Sequence, residues 1–200
     1  MRKRNTLRYN ELTDKQILNP HLFISDFCKH EIDIEEFRTT VRLLIKSACT
    51  KKQYGVTDDY FHNYRCLLRL LEAGHIFFCR GTSFSLNCEP SIPSDSSLDL
   101  NRYYRTLISM HFKSLSEEEI KNTHSFFKDF FNFMTLNEWR LTFSRIVEYA
   151  YRKPTIDEVI EDGSTMVVIK EYIEKLIEVI YLIDSSQTVF CINDTSTIVN

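Results

Sequence analysis

The sequence has few of the residues and motifs that build ligand-binding loops. Only four glycines and four prolines occur in 200 residues. The chain contains no glycine-rich phosphate loop, no GxSxG turn and no HExxH motif. Each of these motifs holds backbone N–H groups, a nucleophile or metal ligands in a fixed geometry. Their absence disfavours most nucleotide-binding folds, and we expect no cofactor.

The cysteines show no arrangement that is typical of a metal site or of a disulfide framework. No two of them form a CxxC pair, and Cys28 with His30 is too small a ligand set for zinc. No basic and apolar signal peptide is present. We therefore expect a cytoplasmic protein in a reducing compartment, with no bound metal and with core thiols. The six cysteines are Cys28, Cys49, Cys66, Cys79, Cys88 and Cys191.

Neither a long apolar run nor a large net charge indicates a membrane or nucleic-acid partner. The apolar stretch Glu174–Ile183 is interrupted by charges, and it is shorter than the roughly 20 residues that span a membrane. The net charge of -3 gives no global field to attract a polyanion. A basic cluster near the start is interpreted as a solvated tail, with a nucleic-acid or targeting arm as the alternative. It consists of Arg2, Lys3, Arg4 and Arg8.

The sequence does contain a repeat. The segment Leu12–Phe27, LTDKQILNPHLFISDF, returns at Leu115–Phe130 as LSEEEIKNTHSFFKDF. Each copy opens with a capping box, in which a hydroxyl and a side chain three residues later satisfy free N–H groups of the first helical turn. The capping pairs are Thr13 with Gln16 and Ser116 with Glu119. We infer an internal duplication.

The match continues beyond these segments through two further helices. Each copy has another start signal followed by an apolar stripe at helical spacing. The start signals are Asp33 with Glu36 and Thr135 with Glu138. The stripes are Phe37, Val41, Leu44, Ile45 and Ala48, matched by Trp139, Phe143, Ile146, Val147 and Ala150. The fourth helices carry Cys66, Leu67, Leu70, Leu71, Glu72 and Gly74, matched by Tyr172, Ile173, Leu176, Ile177, Glu178 and Ile180.

These patterns predict a predominantly all-α fold. We expect two tandem pseudo-symmetric repeats of about four helices each, packed together around one core. Each copy closes on alternating residues that suit a short extended segment, Thr82–Asn87 and Thr188–Asn193. Residues 1–200 form a single compact unit, with the first repeat at 12–88, a linker and connecting segment at 89–114, the second repeat at 115–194 and a flexible tail at 195–200. Within the connection, 101–112 is predicted as a helix, with a strand as the alternative.

Four retained residues are candidates for binding. His21 and His124 follow asparagine caps near helix N-termini, where partial positive charge lowers histidine pKa and favours anions. They could meet and bind a metal or a phosphate, although packing or capping explains them as well. Arg38 and Arg140 could belong to paired ligand sites with Asp26 and Asp129. A structural salt bridge between successive helices is the preferred interpretation.

Two arginine–histidine pairs, Arg69 with His75 and Arg105 with His111, stand at a similar spacing. They resemble the arginine–histidine motif of the HEPN ribonucleases, whose fold is also all-helical. The resemblance covers two residues and a fold class. It implies an RNA-binding protein or ribonuclease that uses Arg105 and His111 as catalytic residues.

A third interpretation rests on basic residues on and just after the third helices. They could form a DNA-binding face, or they could simply solvate the polar side of each helix. They are Arg38, Arg42, Lys46, Lys51, Lys52, Arg140, Arg145, Arg152 and Lys153. The leading hypothesis is a non-enzymatic interaction or scaffold protein that binds another protein or itself, because no motif assembles an active site.

Overall fold

The helices begin where the sequence places capping residues. The computed structural model describes residues 9–30, 33–50, 52, 54, 58–84, 112–152 and 163–194. This part of the chain is predominantly helical and has no strand. The first half, residues 9–84, contains α1 (Asp14–Leu18), α2 (Pro20–His30), α3 (Ile34–Ala48) and α4 (Asp58–Arg80). The second half, residues 112–194, contains α5 (Glu117–Lys121), α6 (Thr123–Phe133), α7 (Leu136–Tyr151) and α8 (Gly163–Asp194).

The predicted caps are confirmed. Thr13, Ser116 and Thr135 each accept from the N–H three residues on, and the glutamine or glutamate at that position accepts from the N–H of the cap. Asp33 accepts from the N–H groups of Glu35 and Glu36 at the start of α3. Each cap satisfies N–H groups that have no partner within the helix.

The two fourth helices end differently. α4 stops at Gly81, which has a φ of 64°, a conformation that costs glycine little. The N–H groups of Gly81 and Thr82 donate to the carbonyls of Phe78 and Phe77 at 3.0 and 3.1 Å, which is the hydrogen-bond pattern of a glycine C-cap. Gln187 stands at the matching place in the second half, and α8 continues past it to Asp194.

The extended segment predicted for the end of the second copy is therefore wrong. Thr188–Asn193 is helical and belongs to α8, because no glycine or proline precedes it to end the helix. Thr82–Phe84 is not a strand, and residues 85–87 lie outside the described part. Phe84 instead exchanges hydrogen bonds with Thr123 at the start of α6: its N–H donates to Oγ1 at 2.9 Å, and its carbonyl accepts from the Thr123 N–H at 3.1 Å.

The core lies mainly between the two halves. α3 packs along α7, α4 packs against α6, α7 and α8, and α2 packs on α8. All five stripe residues of α3 and all five of α7 are buried, as predicted, with Phe37 and Trp139 fully so. Gly74 permits a close approach of α4 to α6, since a Cβ there would lie 2.9 Å from Cε1 of Phe127.

Several sequence predictions fall on residues outside the described ranges. They concern the basic N-terminal cluster, residues 89–111 of the linker and connecting segment, which include 101–111 of the helix predicted for 101–112, and the tail at 195–200. Arg105 and His111 also lie outside. Among the helices that are described, none is long and apolar enough to cross a membrane.

Candidate functional site

Two arginine–glutamate pairs join the halves. Arg38 on α3 lies 2.8 Å from Glu178 on α8, and both side chains are fully buried. Arg140 on α7 lies 2.5 Å from Glu72 on α4, whose side chain is also fully buried. Each third helix is therefore connected by charge to the fourth helix of the opposite half.

Both glutamates also bind backbone N–H groups of their own half. Glu72 accepts from Asn10 at 3.0 Å and from Glu11 at 2.9 Å. Glu178 accepts from the three residues 113–115 at 2.9 to 3.1 Å. Such charge-assisted bonds offset the cost of removing a carboxylate from water. Each glutamate thus fixes the segment that enters α1 or α5.

This arrangement corrects the salt bridges expected from sequence. Neither Arg38 nor Arg140 pairs with Asp26 or Asp129 of the preceding helix; a glutamate that is distant in sequence takes that place. Nearby, Arg42 donates two hydrogen bonds of 2.8 Å to Glu174 on α8. The hydrogen bond from Arg42 lowers the pKa of the Glu174 carboxyl group, against a smaller rise from burial.

The two candidate histidines pack against different aromatic rings. The His21 ring contacts Phe77 at 4.9 Å and Phe84 at 5.2 Å between centroids. The His124 ring stacks on Phe78 at 6.0 Å. Burial, followed by the charge of nearby Arg80, lowers the pKa of His21. Across the described residues, no three histidine, cysteine, aspartate or glutamate side chains are grouped to hold a metal ion.

A cysteine and a histidine meet one turn apart on α4. Cys79 Sγ lies 3.6 Å from His75 Nδ1, which also makes a 2.9 Å hydrogen bond with the Tyr9 hydroxyl. Burial raises the pKa of the Cys79 thiol and of Tyr9, the latter to about 12, and lowers the pKa of His75. A nucleophilic cysteine needs the opposite shift, towards a thiolate. These electrostatics favour a neutral, packed cluster.

The side chains of the other arginine–histidine pair, Arg69 and His75, also make packing contacts. The Arg69 guanidinium lies over the Phe23 ring, 4.5 Å from its centroid. His75 is buried and makes an edge contact of 4.8 Å with Phe131. The described ring contacts of the two side chains are therefore with different neighbours.

A small surface cavity of about 140 Å³ lies between α5, α6 and α8. Its lining combines acidic, basic and apolar side chains: Glu119, Asp129, Val168, Glu171, Tyr172 and Lys175. Nothing in the sequence pattern had singled out this group, because its members come from three helices. The only local signal is on α8, where Glu171 follows Val168 by three residues and Lys175 follows Tyr172 by three residues.

Large apolar side chains are exposed on both halves. The most exposed is Leu18 at 76%, and Phe133, which adjoins the cavity, is 40% exposed. Exposed apolar groups of this size are typical of contact surfaces when they cluster. Among the residues whose burial is described, the exposed large apolar side chains are Leu18, Leu22, Phe61, Phe133, Leu141, Tyr151, Val167 and Val168.

No protein-family model, curated protein or solved structure matches the chain. Its function must therefore be inferred from the geometry of its own residues.

Proposed function

We propose that this chain is a non-enzymatic cytoplasmic scaffold, built from two copies of one helical module that fold against each other and bind a protein partner. The observation that carries the proposal is the crossed pairing of Arg38 with Glu178 and of Arg140 with Glu72. Retained charges that join the two copies have a structural reason to persist in both. They need no catalytic role to explain them.

The duplication has support from features with separate physical causes. The first three helices of the halves have 5, 11 and 15 residues against 5, 11 and 16. The two halves also have the same order of features along the chain: capping residues, apolar stripes and a glutamate that binds backbone N–H groups. Agreement at several levels favours a common origin over coincidence.

A scaffold role fits the distribution of polar and apolar groups. The buried charges of Arg38, Glu72 and Glu178 hold the fold together, and the pKa shifts of Cys79 and His75 oppose nucleophilic catalysis. Apolar side chains such as Leu18 and Phe133 face solvent. Apolar and aromatic groups of this kind are enriched at the centres of protein interfaces.

A DNA-binding face on the third helices has less support. Arg42 and Arg152 lie in ion pairs with Glu174 and Glu148 at 2.8 Å, and Arg38 is buried. Paired cations release fewer counterions from a phosphate backbone than free ones. The HEPN-like alternative depends on Arg105 and His111 and is separated from the scaffold proposal by experiment.

The test combines an activity assay with cross-linking. Purified protein is incubated with labelled RNA and DNA at low salt, and a parallel sample is cross-linked in extract and analysed by mass spectrometry. We expect intact nucleic acid and cross-links from a reproducible protein partner close to exposed apolar side chains such as Leu18 or Phe133. RNA cleavage that is lost in Arg105→Ala or His111→Ala would overturn the proposal.

A further inference from the structure

A buried histidine holds the segment that leads into α1. The Tyr9 hydroxyl lies 2.9 Å from Nδ1 of His75 on α4, and only 7% of His75 is exposed. One turn earlier on α4, Glu72 binds the N–H groups of Asn10 and Glu11. Burial raises the pKa of Tyr9 to about 12, so its hydroxyl keeps its proton and supplies no negative charge to the histidine.

The groups around His75 do not accommodate a positive charge. On α7, Arg140 is the cation that, after burial, lowers the pKa of His75, and it pairs with Glu72. α6 contributes the uncharged ring of Phe131 at 4.8 Å, and α4 itself contributes the Cys79 thiol at 3.6 Å. A buried charge without its own counter-ion is costly. A protonated His75 therefore favours states in which water replaces the segment that leads into α1.

The end of α1 is held by an arginine that also lies near a histidine. Arg80 donates to the carbonyls of Ile17 and Leu18 at 2.7 and 3.1 Å. His21 of α2 packs on the Phe77 ring, and burial, followed by the charge of Arg80, lowers the pKa of His21. A proton on His21 therefore adds repulsion to the side chain that binds α1. Both attachments to α4 thus place a histidine near an arginine.

The second half keeps the glutamate, but its sequence lacks both histidine–arginine pairs. Glu178 binds the N–H groups of residues 113–115. The residues that match Tyr9, His75 and Arg80 are Phe112, Tyr181 and Ser186. None of these three matching side chains changes its charge between pH 5 and pH 7. Residues 112–121 are therefore an internal control for the first half, because any effect of acid on the two glutamates is common to both halves.

We propose that acidification from pH 7 to pH 5 releases residues 9–18 from α4 while the helices of the second half stay in place. The released state binds protons at His75 and His21 that the attached state excludes, so acid favours release and neutral pH favours attachment. The apolar stripes of α3 and α7 contain no histidine, so the packing between the halves does not take part. This pH-dependent release does not depend on the identity of a partner protein.

The test is hydrogen exchange followed by mass spectrometry at pH 7 and pH 5. Each rate is divided by the rate of an unstructured peptide of the same sequence at that pH. We expect the corrected exchange of residues 9–18 to rise about tenfold relative to that of residues 112–121 on acidification. His75→Gln removes one protonation site and is expected to reduce this rise at least about twofold. His62→Gln removes an exposed histidine of the same helix and should leave the rise unchanged.

The comparison of the two segments within the unmodified protein needs no substitution, so it remains decisive if His75→Gln does not fold. In that case His21→Gln tests the second attachment and is expected to reduce the rise. No change, equal changes in the two segments, or a rise that extends to α3 and α7 would overturn the proposal. A rise that persists in full in every folded variant at positions 75 and 21 would also overturn it.

Discussion

Arg38 carries a buried charge that joins α3 to α8. Its side chain is fully buried beside Glu178, so Arg38→Met leaves a buried carboxylate without its cation. We expect a loss of about 3–5 kcal/mol in the free energy of unfolding, measured by urea denaturation. Arg152→Met removes an exposed pair with Glu148 and is expected to cost at most about 1 kcal/mol.

A second substitution keeps this prediction testable if the single variant does not fold. Glu178→Gln removes the negative charge and keeps an oxygen for the backbone N–H groups of residues 113–115. The double variant Arg38→Met with Glu178→Gln is therefore expected to be more stable than Arg38→Met alone. Equal stability of the two variants would show that the pair does not contribute as described.

His75 makes the stability of the fold depend on pH in a predictable direction. Burial, followed by the charge of Arg140, holds its pKa below 6.5. The unfolded chain therefore binds a proton at higher pH than the folded chain, so stability is present above pH 6.5 and falls as pH decreases. His21 shifts in the same direction.

We expect the free energy of unfolding to decrease from pH 7 to pH 5 and the decrease to be smaller in His75→Gln. Urea titrations at intervals across this range measure it. The lowered pKa of Glu174 acts only below its ordinary value of 4.5, so it does not contribute to this window. Stability that rises on acidification from pH 7 to pH 5 would contradict the assignment.

At the scale of elements, the sequence predicted where helices begin, but it did not predict where α8 ends. The cap pairs of Thr13, Ser116 and Thr135 act over three residues, and the local sequence contains all that they need. The alternating residues 188–193 also occur within helices, so six residues could not distinguish a strand from a continuing helix. The residues that distinguish the two helix ends are Gly81, which ends α4, and Gln187, which stands at the matching position and allows α8 to continue.

Substitution at Gly81 tests this explanation. A Cβ there meets nothing within 4 Å, so the effect of Gly81→Ala comes only from the left-handed backbone, at a φ of 64°. We expect a loss of about 1–2 kcal/mol in the free energy of unfolding. Gly81→Asn should cost less, because asparagine adopts this conformation more readily. A larger loss for asparagine than for alanine would contradict the backbone argument.

At the scale of the whole molecule, the helical spacing of apolar residues predicted the core. It did not predict the ion pairs that connect the two halves. Phe37 and Trp139 lie on apolar stripes whose helical spacing predicts that they face the core. Glu72 and Glu178 lie within equally apolar stretches, and a retained charge in such a place is a signal of a buried ionic pair. Their partners could not be assigned, because Arg38 and Glu178 are far apart in sequence and meet only through packing.

The cavity was beyond sequence analysis for a related reason. Asp129 and Tyr172 come from different helices, and only the packing of α6 near the start of α8 brings them together. Tyr172 is matched by Cys66 in the first half, so the comparison of the two halves did not single out the cavity. A comparison of matching residues does not detect surfaces at which the two halves differ.

We expect the two halves to fold only against each other. Fragments 1–95 and 96–200 separate them within the predicted linker, and circular dichroism with light scattering follows each fragment alone and the equimolar mixture. We expect neither fragment alone to form a folded monomer, because α3 packs along α7 and α2 packs on α8. The mixture should form a one-to-one complex that unfolds cooperatively. A fragment that is monomeric, helical and cooperative on its own would contradict the account.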